Sequence, residues 1–462
     1  MIFYHVFPLG YCGAAERHDP WNPASSGSNP SLSQLTNDLS RIAELGFTAL
    51  YLGPVFSSSS HGYDTADYFH VDARLGNDDD LTALVSRAHE LGVAVVLDGV
   101  FNHVGREFWA FRDVREKGRA SNYVDWFRGL SFGQDNRFAD GFVYEGWEGV
   151  EELVALNHEN TDVQEHLLQA AEHWIDRYAV DGIRLDVAYS LPFWFLDQLG
   201  ERVRARRPDF WLLGEVIHGN YPEFVVPGRL DSVTNYECYK GLWSSFNDRN
   251  LFEIAHSLER LFAEGGLLSD ALARGRLPYN FADNHDVDRI ASTLTEPDHL
   301  FPVLTLLFTM PGVPSVYYGS EYGIPGSKAD GDTALRPGRD AVLEHASGSD
   351  RAAAIAAFVT QLCGIRGSHP VLGHGVYEPL LVRNTALAFS RRDGEHHLLV
   401  AVQTEAIPTQ IELPDACVGS YRSLFDGQQV TVGADRLLNI PAHGSVILQR
   451  MDKASGPRSV RS

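Results

Sequence analysis

The segment GIRLDVAYS, residues 182–190, has the apolar residues of a buried strand but carries two charged residues among them. Arg184 and Asp186 lie two positions apart, and residues i and i+2 of an extended strand point the same way. A cation and a carboxylate therefore share one face, where buried charge is costly unless it is paired. Polar residues also follow other apolar segments of this chain: Asp98, Asn102, His103, Glu215, His285, Asp286, His61 and Tyr63.

Paired carboxylates suit retaining glycoside hydrolysis, in which one attacks the anomeric carbon and the other first protonates the leaving oxygen and then deprotonates water. Asp186 is the candidate nucleophile, because Arg184 beside it would lower the pKa of its carboxyl group. Glu215 follows the apolar run WLL and is the candidate acid, because an apolar wall retains a proton. A single carboxylate at a strand end is more often a helix cap than a catalytic group. The hypothesis therefore requires the polar residues named above to lie close together in the folded protein.

Eight short apolar segments alternate with amphipathic helix patterns, such as 33–46 and 80–92, and predict an α/β fold, a (β/α)8 TIM barrel. In a barrel the carboxyl ends of all strands meet on one rim, which would bring the polar residues together. An open doubly wound sheet is the alternative, but its usual glycine-rich phosphate loop is missing near the first strand. The segments are 2–9, 49–55, 94–100, 182–188, 210–216, 231–236, 277–283 and 312–319.

The connection after the third segment is too long for an ordinary loop and predicts an inserted subdomain over 104–159. We expect about half of its aromatic residues to pack its own core and the rest to contact flat ligand faces. After 372, short alternating runs predict a C-terminal antiparallel β-sandwich over 372–452. The barrel would then cover 1–103 and 160–371, with a disordered tail over 453–462.

The composition argues against several classes of protein. The net charge of -23 disfavours nucleic-acid and membrane-surface partners. The four cysteines lack metal-ligand spacing, which favours reduced thiols over a disulfide framework. Since the N-terminal residues lack a signal pattern and no run reaches the roughly 18 apolar residues of a membrane helix, we expect a cytoplasmic protein.

In order and spacing, the segments DGVFNH, GIRLDVA, GEV and FADNHDVDR resemble the signature of the α-amylase family, glycoside hydrolase family thirteen. SHGYDTADYFHVDARLG and MPGVPSVYYGSEYGIPG extend the resemblance over about residues 1–450. The resemblance implies Asp186 as nucleophile, Glu215 as general acid/base and Asp286 as transition-state stabiliser. It further implies a set of substrate-binding residues: Tyr63, His103, Arg184, His285, Asp98 behind Arg184, His218, Asp332 and Arg336.

Within the family, LDVA followed by FWFLDQL is similar to the group of cyclomaltodextrinases, neopullulanases and maltogenic amylases, near cyclic maltosyl-maltose hydrolases. WEGVEELVALNHENTDV resembles an extra motif of that group that ends in Leu156 and Asn157, although Val154 and Ala155 replace its usual proline and lysine. We do not expect the group's additional N-terminal domain, since the first strand begins near residue 2. A homodimer would therefore need another interface.

No cofactor is expected to be required. In many α-amylases an asparagine at the position of Asn102 helps to bind calcium, with a histidine four residues after the nucleophile. That histidine is Ser190 here, and Tyr189 stands where lysine or asparagine is usual. Because calcium takes several oxygen ligands, these residues do not support a site, and the question of calcium stays open.

The main hypothesis is a retaining hydrolase of α-1,4 bonds in small malto-oligosaccharides, with cyclic or branched substrates such as a cyclodextrin or cyclic maltosyl-maltose favoured. The alternatives are an α-glucosidase or a glucanotransferase acting on linear maltodextrins, which the motif residues alone do not separate. A non-catalytic binding protein with this fold is a third hypothesis. It is disfavoured because all three acids, Asp186, Glu215 and Asp286, are present.

Overall fold

The computed structural model describes residues 1–22, 31–217, 219–394 and 396–451. The tail predicted to be disordered, 453–462, lies outside these described residues. None of the helices in the described ranges is both long enough and apolar enough to cross a membrane.

Eight parallel strands form the barrel predicted from the sequence, and each lies inside one of the eight apolar segments. Their pairing order is β6-β5-β4-β3-β2-β1-β8-β7. A parallel bridge between Thr234, just after β6, and Tyr279 of β7 joins the two ends and closes the sheet. The strands are β1 (Phe3–Val6), β2 (Ala49–Leu52), β3 (Ala94–Gly99), β4 (Gly182–Leu185), β5 (Trp211–Gly214), β6 (Ser232–Val233), β7 (Tyr279–Phe281) and β8 (Val313–Tyr317).

Side chains alternate across the barrel wall. In β4, Ile183 and Leu185 belong to the large core outside the wall, between strands and helices. Arg184 is paired in register with Leu213 of β5, which belongs to a separate cluster inside the barrel. Since neighbours in register share a face of the sheet, Arg184 points to the interior, as predicted. That interior cluster contains Phe3, Ala49, Tyr51, Val96, Leu213, Tyr279, Phe281 and Val313.

The two helices predicted between the first strands are present within two residues of their expected ends. The second begins after Asn77, whose side chain accepts from the backbone N–H groups of Asp79 and Asp80 and so caps the helix. The α-helices are Pro8–Tyr11, Leu32–Glu44, Asp78–Glu90, Trp109–Lys117, Thr161–Tyr178, Phe193–Arg206, Tyr221–Phe224, Tyr236–Asn247, Phe252–Phe262, Ser269–Ala273, Ile290–Thr293, Leu300–Thr309, Asp332–Leu335, Arg339–Ser347, Asp350–Ser368 and Val371–His374.

The long connection after β3 contains its own secondary structure. Strand Val150–Ala155 pairs with His103–Gly105 and with Gly146–Trp147, and a second small pair joins Ser131–Phe132 to Phe142–Val143. The aromatic residues pack inward more completely than we expected. Of its eleven aromatic residues, Phe138 is exposed and Trp147 lines a cavity. The other nine are buried or pack against the buried ones: Phe108, Phe111, Trp126, Phe127, Phe142 and Tyr144 are buried, and Trp109, Tyr123 and Phe132 pack against them. Strands Phe56–Ser58 and Thr65–Val71 form an antiparallel pair after β2.

Antiparallel strands make up the C-terminal region. Six of them form one sheet in the order β9-β10-β11-β16-β13-β14, and β12 pairs with β15 beside it. The two sheets enclose an apolar cluster that includes Leu399, Ile411 and Ile440. This is the antiparallel β-sandwich predicted from the alternating pattern. The strands are β9 (Val376–Val382), β10 (Ala386–Arg392), β11 (His397–Gln403), β12 (Thr409–Glu412), β13 (Gly419–Ser423), β14 (Gln429–Val432), β15 (Leu437–Ile440) and β16 (Ser445–Arg450).

Candidate active site

Arg184 joins three of the predicted carboxylates at the carboxyl end of the barrel. Its Nη1 donates to both carboxylate oxygens of Asp98, at 2.8 and 3.0 Å, and to Oδ1 of Asp186 at 2.9 Å. Its Nη2 lies 3.0 Å from Oε2 of Glu215. The guanidinium is 4% exposed, so these contacts replace its water. One planar cation therefore contacts Asp186 through Nη1 and Glu215 through Nη2, and its rigid shape fixes the two carboxylates relative to each other.

The residue after Asp186 has an unusual backbone conformation. Val187 has φ of 40° and ψ of 45°, in the left-handed region that β-branched residues rarely adopt. This conformation directs its backbone N–H to Oε2 of Glu215 at 2.9 Å. The Oε1 atom of Glu215 accepts from the hydroxyl of Tyr236 at 3.3 Å. Hydrogen bonds thus orient both carboxylate oxygens of Glu215. The strained backbone of Val187 lies directly beside the candidate nucleophile.

The electrostatics of Asp186 differ from the sequence-based expectation. Burial raises the pKa of its carboxyl group well above the ordinary value. Arg184 lowers it, but the nearby carboxylates of Glu215, Asp98 and Asp286 raise it again. Because Arg184 is shared among several carboxylates, it does not compensate fully for the burial of this one. Arg184 thus lowers the pKa of Asp186, as predicted, but burial and the neighbouring carboxylates, which the prediction did not include, outweigh it and reverse the net direction.

Asp286 lies at the end of β7 in a different environment. Its Oδ2 is 2.9 Å from Nε2 of His285, and its Oδ1 is 3.4 Å from Nη2 of Arg336. Burial would raise the pKa of Asp286, but His285, Arg336 and Arg184 outweigh it and hold that pKa well below the ordinary value. With 37% of its side chain exposed, this carboxylate is the accessible one of the three acids. It is ionised and faces the cavity.

Asp98 is held from two further directions. The hydroxyls of Tyr51 and Tyr63 donate to its Oδ2 at 2.8 and 3.0 Å. The hydroxyl of Tyr63 also contacts Nε2 of His285, and the two rings are stacked with centroids 5.5 Å apart. Asp98 is fully hydrogen-bonded by these groups and Arg184, which places it behind the guanidinium, as predicted.

His103 lies beside the candidate nucleophile as a neutral ring. Its Nε2 is 3.9 Å from Oδ2 of Asp186. Burial, with a smaller contribution from His61, lowers the pKa of His103 to about 3. A neutral imidazole can both donate and accept a hydrogen bond, which suits contact with sugar hydroxyls.

Asp186, Glu215 and Asp286 line a cavity of about 450 Å³, within the size range of small-molecule sites. The predicted residues Asp98, Arg184 and His285 are not among its lining residues. The structure brings the three acids together with Tyr63, His103 and Arg336. Asp332 also lines it, 3.4 Å from Arg336. His218, another predicted substrate-binding residue, lies outside the described residues. Sequence reasoning did not assign Trp147, Val187, Ile217, Tyr236 and Lys328, which line the same cavity.

Asn102 is the residue that the resemblance connects with calcium. The side chain of Asn102 is buried and its Oδ1 has no hydrogen-bond partner. Calcium takes six to eight oxygen ligands, usually including carboxylates. Across the described ranges, no group of three or more His, Cys, Asp or Glu side chains is arranged to hold a metal ion.

The geometry above agrees with three comparisons to known proteins. Residues 24–359 match the family model described as Alpha amylase, catalytic domain. A cyclomaltodextrinase from a Bacillus species is 31% identical over 420 residues, which cover 87% of this chain and 72% of that protein. The predicted resemblance is confirmed at the level of the family and of this group.

Solved structures show the same architecture over nearly the whole chain. The debranching enzyme of Nostoc punctiforme, soaked with acarbose, has a TM-score of 0.79 at 27% identity and covers 97% of both chains. The cyclic alpha-maltosyl-(1→6)-maltose hydrolase of Arthrobacter globiformis has a TM-score of 0.78 at 24% identity, over 97% of this chain and 98% of that one. At that identity the second likeness concerns the fold alone.

Proposed function

This chain belongs to the α-amylase family of glycoside hydrolases, and from that premise we propose that it is a retaining enzyme for small cyclic or branched malto-oligosaccharides. Hydrolysis of α-glucans is the activity shared by its relatives. The finer proposal specifies cleavage of α-1,4-glucosidic bonds through a covalent glycosyl-enzyme intermediate.

The observation that supports retention is the shared contact of Asp186 and Glu215 with Arg184. The two carboxylates lie 2.9 and 3.0 Å from nitrogens of one guanidinium, so they are held close together. Such contacts favour the short carboxyl separation of a retaining enzyme, roughly 5 Å, over the roughly 6.5–9.5 Å of an inverting enzyme, which leaves room for a water molecule. In the proposed mechanism Asp186 attacks the anomeric carbon while Glu215 protonates the leaving oxygen. Glu215 then takes a proton from a water molecule, whose oxygen bonds to the anomeric carbon while the bond from that carbon to Asp186 breaks.

The proposed mechanism needs one proton and one negative charge on the two carboxyl groups of Asp186 and Glu215. Burial of Asp186 and the neighbouring carboxylates favour keeping a proton on the cluster, since the pKa of Asp186 is raised. A bound sugar would bring positive charge to the anomeric centre in the transition state, which favours ionised Asp186 facing it. Asp286, ionised through His285 and Arg336, is suited to accept hydrogen bonds from two adjacent sugar hydroxyls.

The substrate proposal is supported by the relatives and by the site. A cyclomaltodextrinase is among the most similar curated proteins. Trp147, from the connection after β3, lines the cavity with its ring 5.6 Å from His103 and offers an apolar face to a sugar ring. We also propose a cytoplasmic location, because all four cysteines are buried and unpaired.

Product analysis on a substrate panel tests this proposal. The panel contains a cyclodextrin, cyclic maltosyl-maltose, pullulan, maltotriose and isomaltose, and the anomer released first is read by proton NMR. We expect the highest kcat/KM on a cyclic substrate and initial release of the α-anomer. Initial β-anomer would rule out retention. Release of glucose alone from linear chains would favour an α-glucosidase, and product growth on added acceptor would favour a glucanotransferase.

A further inference from the structure

His5 lies inside the barrel, beneath the catalytic residues. It belongs to β1 and pairs in register with Tyr51 of β2 and Tyr317 of β8. Phe3, two residues earlier, is part of the interior cluster, so strand alternation directs His5 to the interior as well. It is buried, with 2% exposure, and cannot reach a sugar in the cavity. Any part that His5 takes in catalysis must therefore act through its neighbours.

Two of those neighbours support carboxylates of the site. The ring of His5 stacks on Tyr51 with centroids 4.2 Å apart, and it meets His285 edge to face with centroids 5.2 Å apart. The hydroxyl of Tyr51 donates to Asp98, and Nε2 of His285 contacts Asp286. His5 thus lies between the supports of two catalytic-site carboxylates.

Each of the two histidines has one buried nitrogen without a partner. Among the described residues, neither Nε2 of His5 nor Nδ1 of His285 makes a hydrogen bond. A buried polar atom left unsatisfied is costly, and in a native structure it calls for an explanation. Because the two rings are in contact, each nitrogen is a candidate partner for the other.

The neighbours of His285 show which of its nitrogens carries the proton. The carboxylate of Asp286 is ionised and can only accept, so Nε2 of His285, 2.9 Å from its Oδ2, donates to it. The hydroxyl of Tyr63 agrees with this assignment, because it donates to Asp98 and also contacts Nε2, from which it can accept. In a neutral ring Nδ1 is then an acceptor that needs a donor.

His5 can supply that donor. Burial, more than the nearby His285 and Arg184, lowers the pKa of His5 well below its ordinary value. The ring of His5 is therefore neutral and carries one N–H group. The χ2 torsion of a histidine has a broad preference, so a rotation that aims Nε2 at His285 needs no strained rotamer.

We propose that His5 is a positioning residue, whose Nε2–H group donates to Nδ1 of His285 and holds that ring in place against Asp286. With both of its nitrogens engaged, His285 keeps one orientation. The carboxylate that the proposed mechanism uses to accept from sugar hydroxyls is then held in place as well. The inference rests on the proposed function and adds to it a residue that does not touch the substrate.

Two substitutions separate the nitrogen of His5 from its ring. His5→Phe keeps a flat ring against Tyr51 but has no donor, whereas the amide nitrogen of His5→Gln reaches the position of Nε2 and can donate. We expect kcat per active site on the preferred glucan to fall about tenfold or more in His5→Phe, with KM changed by less than about twofold. In His5→Gln kcat should stay within about threefold of the unmodified protein.

His299→Phe is the matched control for loss of a buried imidazole. His299 is also 2% exposed and its Nδ1 also lacks a partner in the described structure, but its Nε2 contacts the carbonyl of Thr404 in the C-terminal region. This variant should have a lower Tm and an unchanged kcat. Equal losses of kcat in His5→Phe and His5→Gln, or an unchanged kcat in His5→Phe, would overturn the inference.

Nuclear magnetic resonance tests the hydrogen bond without depending on how a variant folds. In the unmodified protein labelled with ¹⁵N-histidine, we expect a scalar coupling across the hydrogen bond between Nε2 of His5 and Nδ1 of His285. The two signals are assigned by their loss in His5→Gln and His285→Gln. Absence of the coupling would contradict the inference and leave α-glucan hydrolysis intact. If the coupling is present but no glucan of the panel is cleaved, the contact stands and the proposed function itself fails.

Discussion

Buried arginines at the two ends of the barrel have different partners: carboxylates at one end and backbone carbonyls at the other. Arg184, called the rim arginine, contacts three carboxylates at the carboxyl end of the barrel. Burial would lower its pKa, but Asp98 and Glu215 outweigh this and raise it well above the ordinary value. Arg366 and Arg391, called the base arginines, lie at the amino end of β8 and have backbone carbonyls as their hydrogen-bond partners in the described structure.

The base arginines stabilise the C-terminus of a helix. Arg366 donates to Phe308 at 3.0 Å and Arg391 to Thr309 at 2.7 Å, and both carbonyls belong to the last turn of helix Leu300–Thr309. A helix C-terminus carries partial negative charge and leaves its carbonyls unpaired, so a guanidinium suits it. Burial lowers the pKa of Arg366 to about 9. Arg391, in β10, joins the C-terminal sheet to the barrel, and Arg366 joins helix Asp350–Ser368 to the turn before β8. The rim arginine, by contrast, orients groups that react.

Asp186→Asn should have the largest effect on catalysis. An amide cannot form the glycosyl ester, so we expect kcat/KM to fall by at least about 10⁴-fold. Stability should change the other way. A carboxyl whose folded pKa is raised loses stability as pH rises above its unfolded pKa of about 3.9, so the variant should have a higher Tm than the unmodified protein at pH 7.

The gain in Tm should shrink as the pH approaches about 3, where the carboxyl of Asp186 is mostly protonated in both states. Calorimetry at both pH values measures this difference. A Tm that falls at pH 7, or full activity on the glucan panel, would contradict the role assigned to Asp186.

Arg184→Lys should give the next largest effect. An ammonium group keeps the charge but cannot contact Asp98, Asp186 and Glu215 with fixed geometry. We expect kcat to fall by on the order of 10²–10³-fold, because the pair is no longer oriented. Steady-state kinetics on the preferred glucan measure it. A decrease smaller than about threefold would show that the rim arginine resembles the base arginines in purpose.

His103→Gln separates hydrogen bonding from charge at the rim. With a pKa of about 3, His103 is neutral at every pH above about 4, so its removal should not change the shape of the pH profile. Loss of its contacts with sugar hydroxyls should lower kcat/KM by roughly tenfold. The profile of kcat/KM is measured from pH 5 to 8. The disappearance of an ionisation between pH 5 and 7 in this variant would contradict a neutral ring.

Arg391→Met should have the smallest effect on catalysis and a clear effect on stability. It leaves the carbonyls of Thr309, Leu372 and Gly375 without their donor, and each unsatisfied buried carbonyl costs about 1–3 kcal/mol. We expect a Tm lower by several degrees and a kcat within twofold of normal for the folded fraction. Active-site titration corrects for that fraction, and a kcat reduced tenfold after correction would break the distinction between the two sets.

The barrel could be predicted from the sequence because its eight strands are apolar segments whose order alone determines where their ends meet. Arg184 and Asp186 could be found for a similar reason, since strand alternation places both on one face. Tyr236 was missed because a tyrosine after β6 is indistinguishable from a core residue until the rim is assembled. The pKa of Asp186 was misjudged because it depends on carboxylates from other strands, whose distances no single segment contains.

The claim that Asp186 and Glu215 form a retaining pair around one arginine is tested most directly by trapping the intermediate. In Glu215→Gln, breakdown of the glycosyl-enzyme is slowed, while an activated 5-fluoro-α-glycosyl fluoride still reacts without acid assistance. Peptide mapping by mass spectrometry should then locate the sugar on Asp186. A label on another residue, or no covalent adduct under conditions in which the fluoride is hydrolysed, would contradict the account.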